Sequence, residues 1–384
     1  MTELRDLLDL ATDRVEAPGG AAAALGSARR RRTARRSLAA TATVVVLVTG
    51  VALAGRIGGD RTVEPAPAPT SSPTTVVPVA PAIPRSAVHP VWDPRGAEGL
   101  PVVELGVPRV MESLTPGTVT RPVAVLDDGS RAVLVSGDGY SEELTLPDGL
   151  GGARTVTISP DGQRLVAAGA SGFFWRDLDG EWREVDGVPG EARLTWLPDS
   201  SGVVARGWPR AVRVDLDGGT VEDVAYLEGV SHIGFGPDGR IVGTEPQLVV
   251  EWGDGEEVGR FRTGELEGLI LPAVGNDTIA FTRANLVLGD QPADRDGLVA
   301  VDRETLETRA YLPVPDDHDY YAFAEELRPL TWLSDDVLAF TVLPEGAPKE
   351  YLVTWNAETG ELSRVSCWLS GETAVFATDL LGRS

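Results

Sequence analysis

The sequence predicts an all-β, six-bladed β-propeller, with seven blades as the alternative, preceded by a single transmembrane helix and a Pro-rich linker. Paired turn signals recur every 33 to 39 residues where they are clearest. The 44 Gly and 28 Pro suit many turns between short strands. One run of 19 residues near the N-terminus carries no charge, which approaches the length that a helix needs to cross a bilayer.

The first turn signal is a Pro-Asp-Gly type of sequence between two apolar strands. Clear copies lie at 159–162, 197–200 and 236–239, and weaker copies at 126–129, 275–277 and 333–336. Proline sets φ for the first turn position, and Asp and Gly suit the positions that follow. Each copy therefore predicts a reversal between two neighbouring strands.

The second turn signal is a tight hairpin that follows each first signal. Its copies are Gly137–Gly139, Asp179–Gly180, Asp217–Gly219, Gly253–Gly255, Arg303–Thr305 and Ala357–Gly360. Two signals in about 40 residues define a four-stranded antiparallel unit, which is typical of a propeller blade. One such sheet cannot cover both of its faces, so the units must stack on each other around an axis.

Five complete units begin near Arg154, Arg193, Ser231, Gly268 and Arg328. Three strands precede them, and one strand, residues 373–377, is left over at the C-terminus. We expect this strand to complete the first blade and close the ring, which removes free sheet edges. A seventh blade would need strands from residues 87–119. Tryptophans inside strands are expected to fill the spaces between blades: Trp175, Trp196, Trp252, Trp332 and Trp355.

The predicted domains are a cytoplasmic basic tail (1–36), a transmembrane helix (37–55), a Pro-rich linker (56–86) and an extracytoplasmic propeller (87–384). Six arginines directly before the apolar run, at 29–32, 35 and 36, keep the tail inside the cell by the positive-inside rule. The alternative is secretion after cleavage near Ala54, since Ala52–Ala54 fits an export cleavage site. Both interpretations place the propeller outside the cell and the protein at or beyond the cell membrane.

The tail contains a short amphipathic helix with one apolar face. Its residues follow helical spacing: Leu4, Leu7, Leu8, Ala11 and Val15. A helix this short is marginal alone in water. We expect the face either to fray or to fold against a cytoplasmic protein partner.

The turn sequences resemble those of TolB-like and WD40-like propellers. The Trp-Asp pair of WD40 repeats is missing from the blades, which favours the TolB-like type. The N-terminal order of ELRDLLDLA, ARRRRTARRS, an apolar span and a Pro-rich stalk resembles uncharacterised membrane-anchored propeller proteins of actinobacteria. Some of those are encoded beside extracytoplasmic-function sigma factors. The resemblance implies a binding scaffold that regulates a cytoplasmic sigma factor in signal transduction.

No enzyme chemistry, metal site or cofactor is predicted. The net charge of −24 repels phosphate backbones and argues against a nucleic-acid partner. A G-x-S-x-G elbow, a P-loop and a dinucleotide fingerprint are missing from the sequence. Asp177–Gly180 and Asp215–Gly218 are predicted as hairpin turns, because they lack the other ligands of a calcium loop. A carboxylate pair of an exported hydrolase or lyase acting on sugar or peptide stays open as an alternative.

The longest departure from the repeat, residues 313–327, is the candidate ligand site. It combines acidic and aromatic side chains at Asp316, Asp317, His318, Asp319, Tyr320, Tyr321 and Phe323. Such a loop suits a cationic or carbohydrate ligand, although the small molecule stays unidentified. We expect a membrane-anchored sensor that binds a ligand or protein outside the cell. A structural scaffold of the envelope is the alternative.

Overall fold

Six sheets, each built around four antiparallel strands, surround one axis in the computed structural model. The model describes residues 77–382, apart from 149, 151–153, 171, 191, 208–209, 246, 265, 267, 284–295 and 316–325. These residues belong to one compact unit that begins at Val77. The prediction of an all-β, six-bladed propeller is confirmed by the strand order.

The first three blades contain the following strands. Blade 1 holds β1 (Thr115–Pro116), β2 (Pro122–Asp127), β3 (Ala132–Ser136) and β4 (Tyr140–Leu144), together with the last strand, β25 (Thr373–Phe376). Blade 2 holds β5 (Arg154–Ile158), β6 (Arg164–Gly169), β7 (Gly172–Asp177) and β8 (Arg183–Glu184). Blade 3 holds β9 (Arg193–Trp196), β10 (Gly202–Arg206), β11 (Ala211–Asp215) and β12 (Thr220–Asp223).

The last three blades repeat the pattern. Blade 4 holds β13 (His232–Phe235), β14 (Ile241–Glu245), β15 (Leu248–Gly253) and β16 (Glu256–Arg262). Blade 5 holds β17 (Leu269–Val274), β18 (Thr278–Arg283), β19 (Gly297–Asp302) and β20 (Thr308–Pro313). Blade 6 holds β21 (Leu327–Trp332), β22 (Val337–Val342), β23 (Lys349–Asn356) and β24 (Leu362–Leu369). Short 3₁₀ helices lie at Arg85–Ala87, Pro94–Gly99, Ala225–Leu227 and Thr378–Leu380.

The ring closes through the last strand, as the sequence predicted. β25 pairs antiparallel with β2, and Phe376 lies opposite Ala124. β25 therefore becomes the innermost strand of blade 1. The turn at 126–129 joins the second and third strands of this blade, so it is not equivalent to the other copies of the first turn signal, which join first and second strands.

The propeller has two faces that differ in their connections. One face, which we call the turn face, carries the turns between first and second strands and between third and fourth strands, for example 159–163 and 178–182. The opposite face carries the remaining turns and the crossings from one blade to the next. Apart from the copy at 126–129, the two turn signals in the sequence therefore mark the same face of the molecule.

Equivalent strand positions decide how neighbouring blades pack. Alternate residues of each middle strand point to the blade before and the blade after, which is the period of two that a strand imposes. In blade 5, Phe281 and Val299 pack toward blade 4, whereas Ala280 and Ala300 pack toward blade 6. All four side chains are completely buried. Both faces of the sheet are thus covered by its neighbours.

The innermost strands of adjacent blades approach closely at the axis. A Cβ atom on Gly234 of β13 would lie 2.2 Å from the backbone oxygen of Pro272 in β17. A side chain at this position would force the two strands apart. Glycine is therefore required where blades 4 and 5 converge on the axis.

Residues 77–119, which we call the belt, run around the outer edge of four consecutive blades. Each bridging point is parallel to an outermost strand: Val79 with Arg262, Val88 with Tyr311, Val102 with Arg364, and Thr115 with Tyr140. The belt thus follows blades 4, 5, 6 and 1 in chain order. No seventh blade forms from it, so the alternative of seven blades is wrong.

Side chains of the belt fix it to the blades beneath. Trp92 meets Phe340 edge to face with ring centroids 5.8 Å apart, and His89 meets Trp355 in the same way. His89 also donates a hydrogen bond through Nε2 to the carbonyl oxygen of Ala357 over 3.0 Å. The packed unit begins at Val77, so the last ten residues assigned to the Pro-rich linker contribute to the folded body.

The tail, the predicted transmembrane helix and the first part of the linker lie outside the described residues. From 77 to 382, excluding the gaps given above, the structure contains no helix with the length and apolarity needed for a membrane span.

A buried ion pair ties blade 5 to blade 4. Arg303 is 8% exposed, and its Nη2 lies 3.0 Å from Asp238 Oδ2 and 2.6 Å from Glu251 Oε1. Burial acts to raise the pKa of Asp238, but hydrogen bonds from Arg303 and Arg240 outweigh it and hold that pKa below its usual value. The Asp238 carboxylate is therefore charged at neutral pH and matched to the Arg303 guanidinium.

Replacement of the closing aromatic residue is expected to destabilise the ring strongly. Phe376 is 4% exposed and packs against Trp368 with ring centroids 5.6 Å apart. Phe376→Ala should lower the free energy of unfolding by about 3–5 kcal/mol, measured by urea denaturation of the full chain in detergent. Leu369→Ala, at a position that is 46% exposed, should change it by less than about 0.5 kcal/mol. Equal effects of the two changes would contradict the closure.

Loss of the buried Arg303 cation is expected to leave the Asp238 and Glu251 carboxylates with only the longer contacts to Arg240, at 3.5 Å each. Arg303→Met should therefore cost about 3–5 kcal/mol of unfolding free energy in the same assay. Arg260→Met removes the exposed pair with Glu257, whose side chains are 40% and 41% exposed, and should cost less than about 1 kcal/mol. A neutral Arg303→Met variant would show that the pair does not hold the blades together.

Candidate functional site

A cavity with a volume of about 720 Å³ lies on the axis of the ring, and we call it the axial cavity. All six blades contribute to it through their innermost strands and the turns that follow. A pocket of this size lies within the range of roughly 300–1,000 Å³ that is typical of small-molecule and cofactor sites.

Aromatic rings at the ends of three innermost strands line the cavity wall. Trp196, Phe235 and Trp332 each end their strand, and each is half-buried. Trp196 donates through Nε1 to Thr157 Oγ1 of blade 2 over 3.0 Å, and Trp332 donates through Nε1 to the carbonyl oxygen of Ala273 over 3.1 Å. The indoles therefore stand in fixed orientations while part of their surface stays open to the cavity.

The prediction that tryptophans fill the spaces between blades is confirmed for three of five. Trp175, Trp252 and Trp355 are 5%, 6% and 0% exposed. Trp196 and Trp332 are half-buried: they pack against the apolar clusters between blades, and they also line the axis because the last residue of an innermost strand faces it.

Backbone irregularities shape two further parts of the wall. β17 and β21 each contain a bulge where the register to the next strand shifts, beside Leu271 and Leu330. Leu271 adopts φ 52°, in the left-handed region that L-residues rarely occupy. Both leucines line the cavity, so the bulges direct side chains toward the axis.

Three carboxylates from blades 5, 6 and 1 stand at the mouth of the cavity on the turn face. Asp277, Asp335 and Asp379 are exposed, and none of them has a side-chain hydrogen bond or ion pair with the described part of the chain. Arg328 is the basic residue among the described residues that line the cavity. The mouth is therefore negative on balance.

The equivalent aspartates of blades 2, 3 and 4 are already engaged. Asp161 accepts hydrogen bonds from Ser159 and from the backbone of Gln163. Asp199 accepts from Ser201, and Asp238 binds Arg303. One half of the mouth thus stabilises its own turns, whereas the other half offers free acceptors.

The predicted ligand site lies outside the described residues. This applies to Asp316, Asp317, His318, Asp319, Tyr320, Tyr321 and Phe323. It applies equally to the tail face of Leu4, Leu7, Leu8, Ala11 and Val15. Both remain predictions.

The two candidate calcium-loop fragments form hairpin turns, as predicted. The backbone N–H of Gly180 donates to the carbonyl oxygen of Asp177 over 2.9 Å. The backbone N–H of Asp217 donates to Asp215 Oδ1 over 2.9 Å. Across residues 77–382, where they are described, no three His, Cys, Asp or Glu side chains are grouped so as to hold a metal ion.

The sequence indicates Asp277 and Asp335 only as parts of turn signals, and it does not single out Asp379. Asp277 and Asp335 belong to the weaker copies at 275–277 and 333–336, and Asp379 follows the closing strand. They lie far apart in the chain, and ring closure brings their turns to one opening. The sequence feature that could have identified these three aspartates is that each occupies the same position after the end of an innermost strand.

Known proteins resemble this chain in structure, at low sequence identity. Virginiamycin B lyase from Staphylococcus aureus has 14% identity and a TM-score of 0.43, covering 72% of this chain and 95% of that one. A putative TolB from Agrobacterium tumefaciens has 13% identity and a TM-score of 0.43, covering 67% and 98%. The β-propeller domain of the Trilobed protease from Pyrococcus furiosus has 16% identity and a TM-score of 0.44, covering 66% and 84%. No protein-family model and no curated protein sequence matches the chain.

Proposed function

We propose that this protein is a binding module that takes a positively charged ligand at the mouth of the axial cavity. The observation that carries the proposal is the combination of three free carboxylates, Asp277, Asp335 and Asp379, with half-buried aromatic rings just inside. Carboxylates attract an ammonium or guanidinium group, and the face of an aromatic ring attracts cations as well.

Electrostatics on a larger scale support the same choice. The chain carries a net charge of −24, so a cationic partner gains from the long-range field as well as from local contacts. An anionic ligand would meet repulsion at both levels. A basic segment of a protein or a small polyamine fits this chemistry.

The cellular setting that we propose is a membrane anchor with the propeller outside the cell. It rests on the uncharged run at 37–55 and the arginines that precede it. In this setting the tail, residues 1–36, binds a cytoplasmic partner of the sigma-factor class, and ligand binding outside regulates that partner. The helical face of Leu4, Leu7 and Leu8 supports the tail as a protein-binding element.

Removal of the mouth carboxylates is expected to weaken binding of a cationic probe. The triple change Asp277→Asn, Asp335→Asn and Asp379→Asn should raise the Kd for a hexalysine peptide by about tenfold or more, equivalent to about 1.4 kcal/mol. Titration calorimetry on the full chain in detergent measures this, and hexaglutamate should not bind.

A charge-matched variant separates a site from general acidity. Glu143→Gln, Asp186→Asn and Glu228→Gln remove three exposed carboxylates from outside the cavity lining. This variant should keep hexalysine affinity within about twofold, since exposed charges distant from the ligand are screened by salt. Equal losses in both triple variants, or no hexalysine binding by the unaltered chain, would overturn the proposed function.

Deletion of residues 2–28 tests the signalling part. It removes the apolar helical face and leaves Arg29–Arg32 beside the apolar run, so membrane localisation should persist while association with a sigma factor is lost. Co-purification of sigma factors from cells, followed by mass spectrometry, measures the association. Unchanged sigma-factor recovery, or none with the full chain, would contradict this part and favour an envelope scaffold.

A further inference from the structure

A second concavity, which we call the groove, opens between blades 3 and 4 on the turn face, with a volume of about 450 Å³. Blade 3 supplies one wall through Leu197, Val204 and Arg213. Blade 4 supplies the other through residues that include Ile241 and Trp252. The groove is separate in its chemistry from the mouth of the axial cavity, since none of the three free carboxylates there lines it.

One strand position explains why this interface is open. Val166, Val204 and Val242 occupy equivalent positions on the second strands of blades 2, 3 and 4. The third-strand residues that pair with them are, in the same order, Trp175, Arg213 and Glu251. Trp175 fills the space toward blade 3 and is 5% exposed. Glu251 is neutralised by Arg303 of blade 5.

Arg213 neither fills the space between its blade and the next nor pairs with a charged residue of the next blade. It is exposed and forms no hydrogen bond or ion pair with the described residues. Its long side chain lines the groove where an indole closes the preceding interface. The gap between blades 3 and 4 therefore remains accessible and carries a guanidinium with free donors.

Two aromatic side chains form an apolar surface in the groove. Tyr226, in the 3₁₀ helix Ala225–Leu227, lies with its ring centroid 5.9 Å from that of Trp252, and the ring planes are inclined at 41°. Tyr226 is 36% exposed, whereas Trp252 is 6% exposed and fixed in the core between the blades. Burial raises the pKa of Tyr226, so its hydroxyl stays protonated at neutral pH and can donate a hydrogen bond.

Carboxylate acceptors stand beside these rings. Asp254, at the hairpin turn of blade 4, has φ 52° and makes no hydrogen bond or ion pair with the described residues. Burial acts to raise the pKa of Asp199, but hydrogen bonds from Ser201 and the charge of Arg213 outweigh it and keep that pKa below its usual value. Asp199 is thus an ionised acceptor at neutral pH, and the carboxylate oxygens of Asp254 stand in the same groove without a partner in the described part of the chain.

The mixture of charges selects the ligand class. A cation would be repelled by Arg213, and an anion would be repelled by Asp199 and Asp254. A neutral group with many hydroxyls satisfies both kinds of partner, because each hydroxyl can donate to a carboxylate and accept from a guanidinium. Its apolar C–H face can cover the exposed ring of Tyr226.

We propose that the groove between blades 3 and 4 binds a pyranose unit of a neutral glycan, through stacking on Tyr226 and hydrogen bonds to Arg213 and Asp254. The groove adjoins the axial cavity and shares Pro198, Phe235 and Pro237 with it, but Tyr226, Arg213 and Asp254 line the groove alone, so the two sites take different ligands on one face. A glycan site on that face would add a second attachment for a propeller held outside the cell.

The test uses the full chain in detergent and three neutral hexasaccharides as probes: maltohexaose, cellohexaose and mannohexaose. At least one should bind with a Kd in the millimolar range or below, and Tyr226→Ala should weaken it about tenfold or more. Arg213→Ala, at an exposed side chain that leaves the fold intact, should weaken it severalfold. Tyr140→Ala serves as the matched control, since Tyr140 of blade 1 is 44% exposed and distant from the groove.

Several outcomes would overturn the proposal. These are no binding of any neutral hexasaccharide at millimolar concentration, equal losses with Tyr226→Ala and Tyr140→Ala, and tighter binding of a hexauronate or a hexaglucosamine. The triple Asn variant of the axial mouth should keep saccharide affinity, and Tyr226→Ala should keep hexalysine affinity. The two sites can therefore fail independently.

Discussion

The pairing of the last strand with the first complete strand of the ring is the constraint on which the rest of the structure depends. β25 is short, but it lies innermost in blade 1, and Phe376 and Trp368 pack together where blades 6 and 1 meet. Without it, blade 1 would lack its axial strand and the cavity would lose one wall. Closure also places the segment after β25 beside the turns of blades 5 and 6, which completes the arrangement of Asp277, Asp335 and Asp379.

The belt covers the outer edges of four of the sheets. Every blade ends in a strand with backbone groups that lack a partner on one side, and such edges invite association with other chains. The belt pairs with the edges of blades 4, 5, 6 and 1. Among the described strands, β8 and β12 remain at the edges of blades 2 and 3. Both are short and carry charged residues, Arg183–Glu184 and Glu222–Asp223, which discourage further pairing.

Differences between otherwise equivalent blades account for the candidate sites. The repeated scaffold supplies the same backbone positions six times, and single side chains decide whether an interface is filled or open. Trp175 closes one interface, the pair of Glu251 and Arg303 closes another, and Arg213 leaves a third accessible. At the mouth, Asp161 and Asp199 bind within their own turns, whereas Asp335 stays free. Both candidate sites therefore lie where the repeat is broken.

The amino-acid sequence by itself determined the blade unit and the strand that closes the ring, and it left six blades with seven as the alternative. These follow from local turn chemistry and from alternation along single strands, as in Ser159–Gly162 and the spare strand at 373–377. Only the tertiary structure decided the course of the belt, because each contact such as Val79 with Arg262 is a single bridge in a Pro-rich segment and leaves no periodic pattern. The structure alone also separated Trp196 and Trp332 from Trp175, since a strand sequence does not show which end reaches the axis. Residues of both candidate sites lie on different blades, and their proximity depends on packing between sheets that no local sequence encodes.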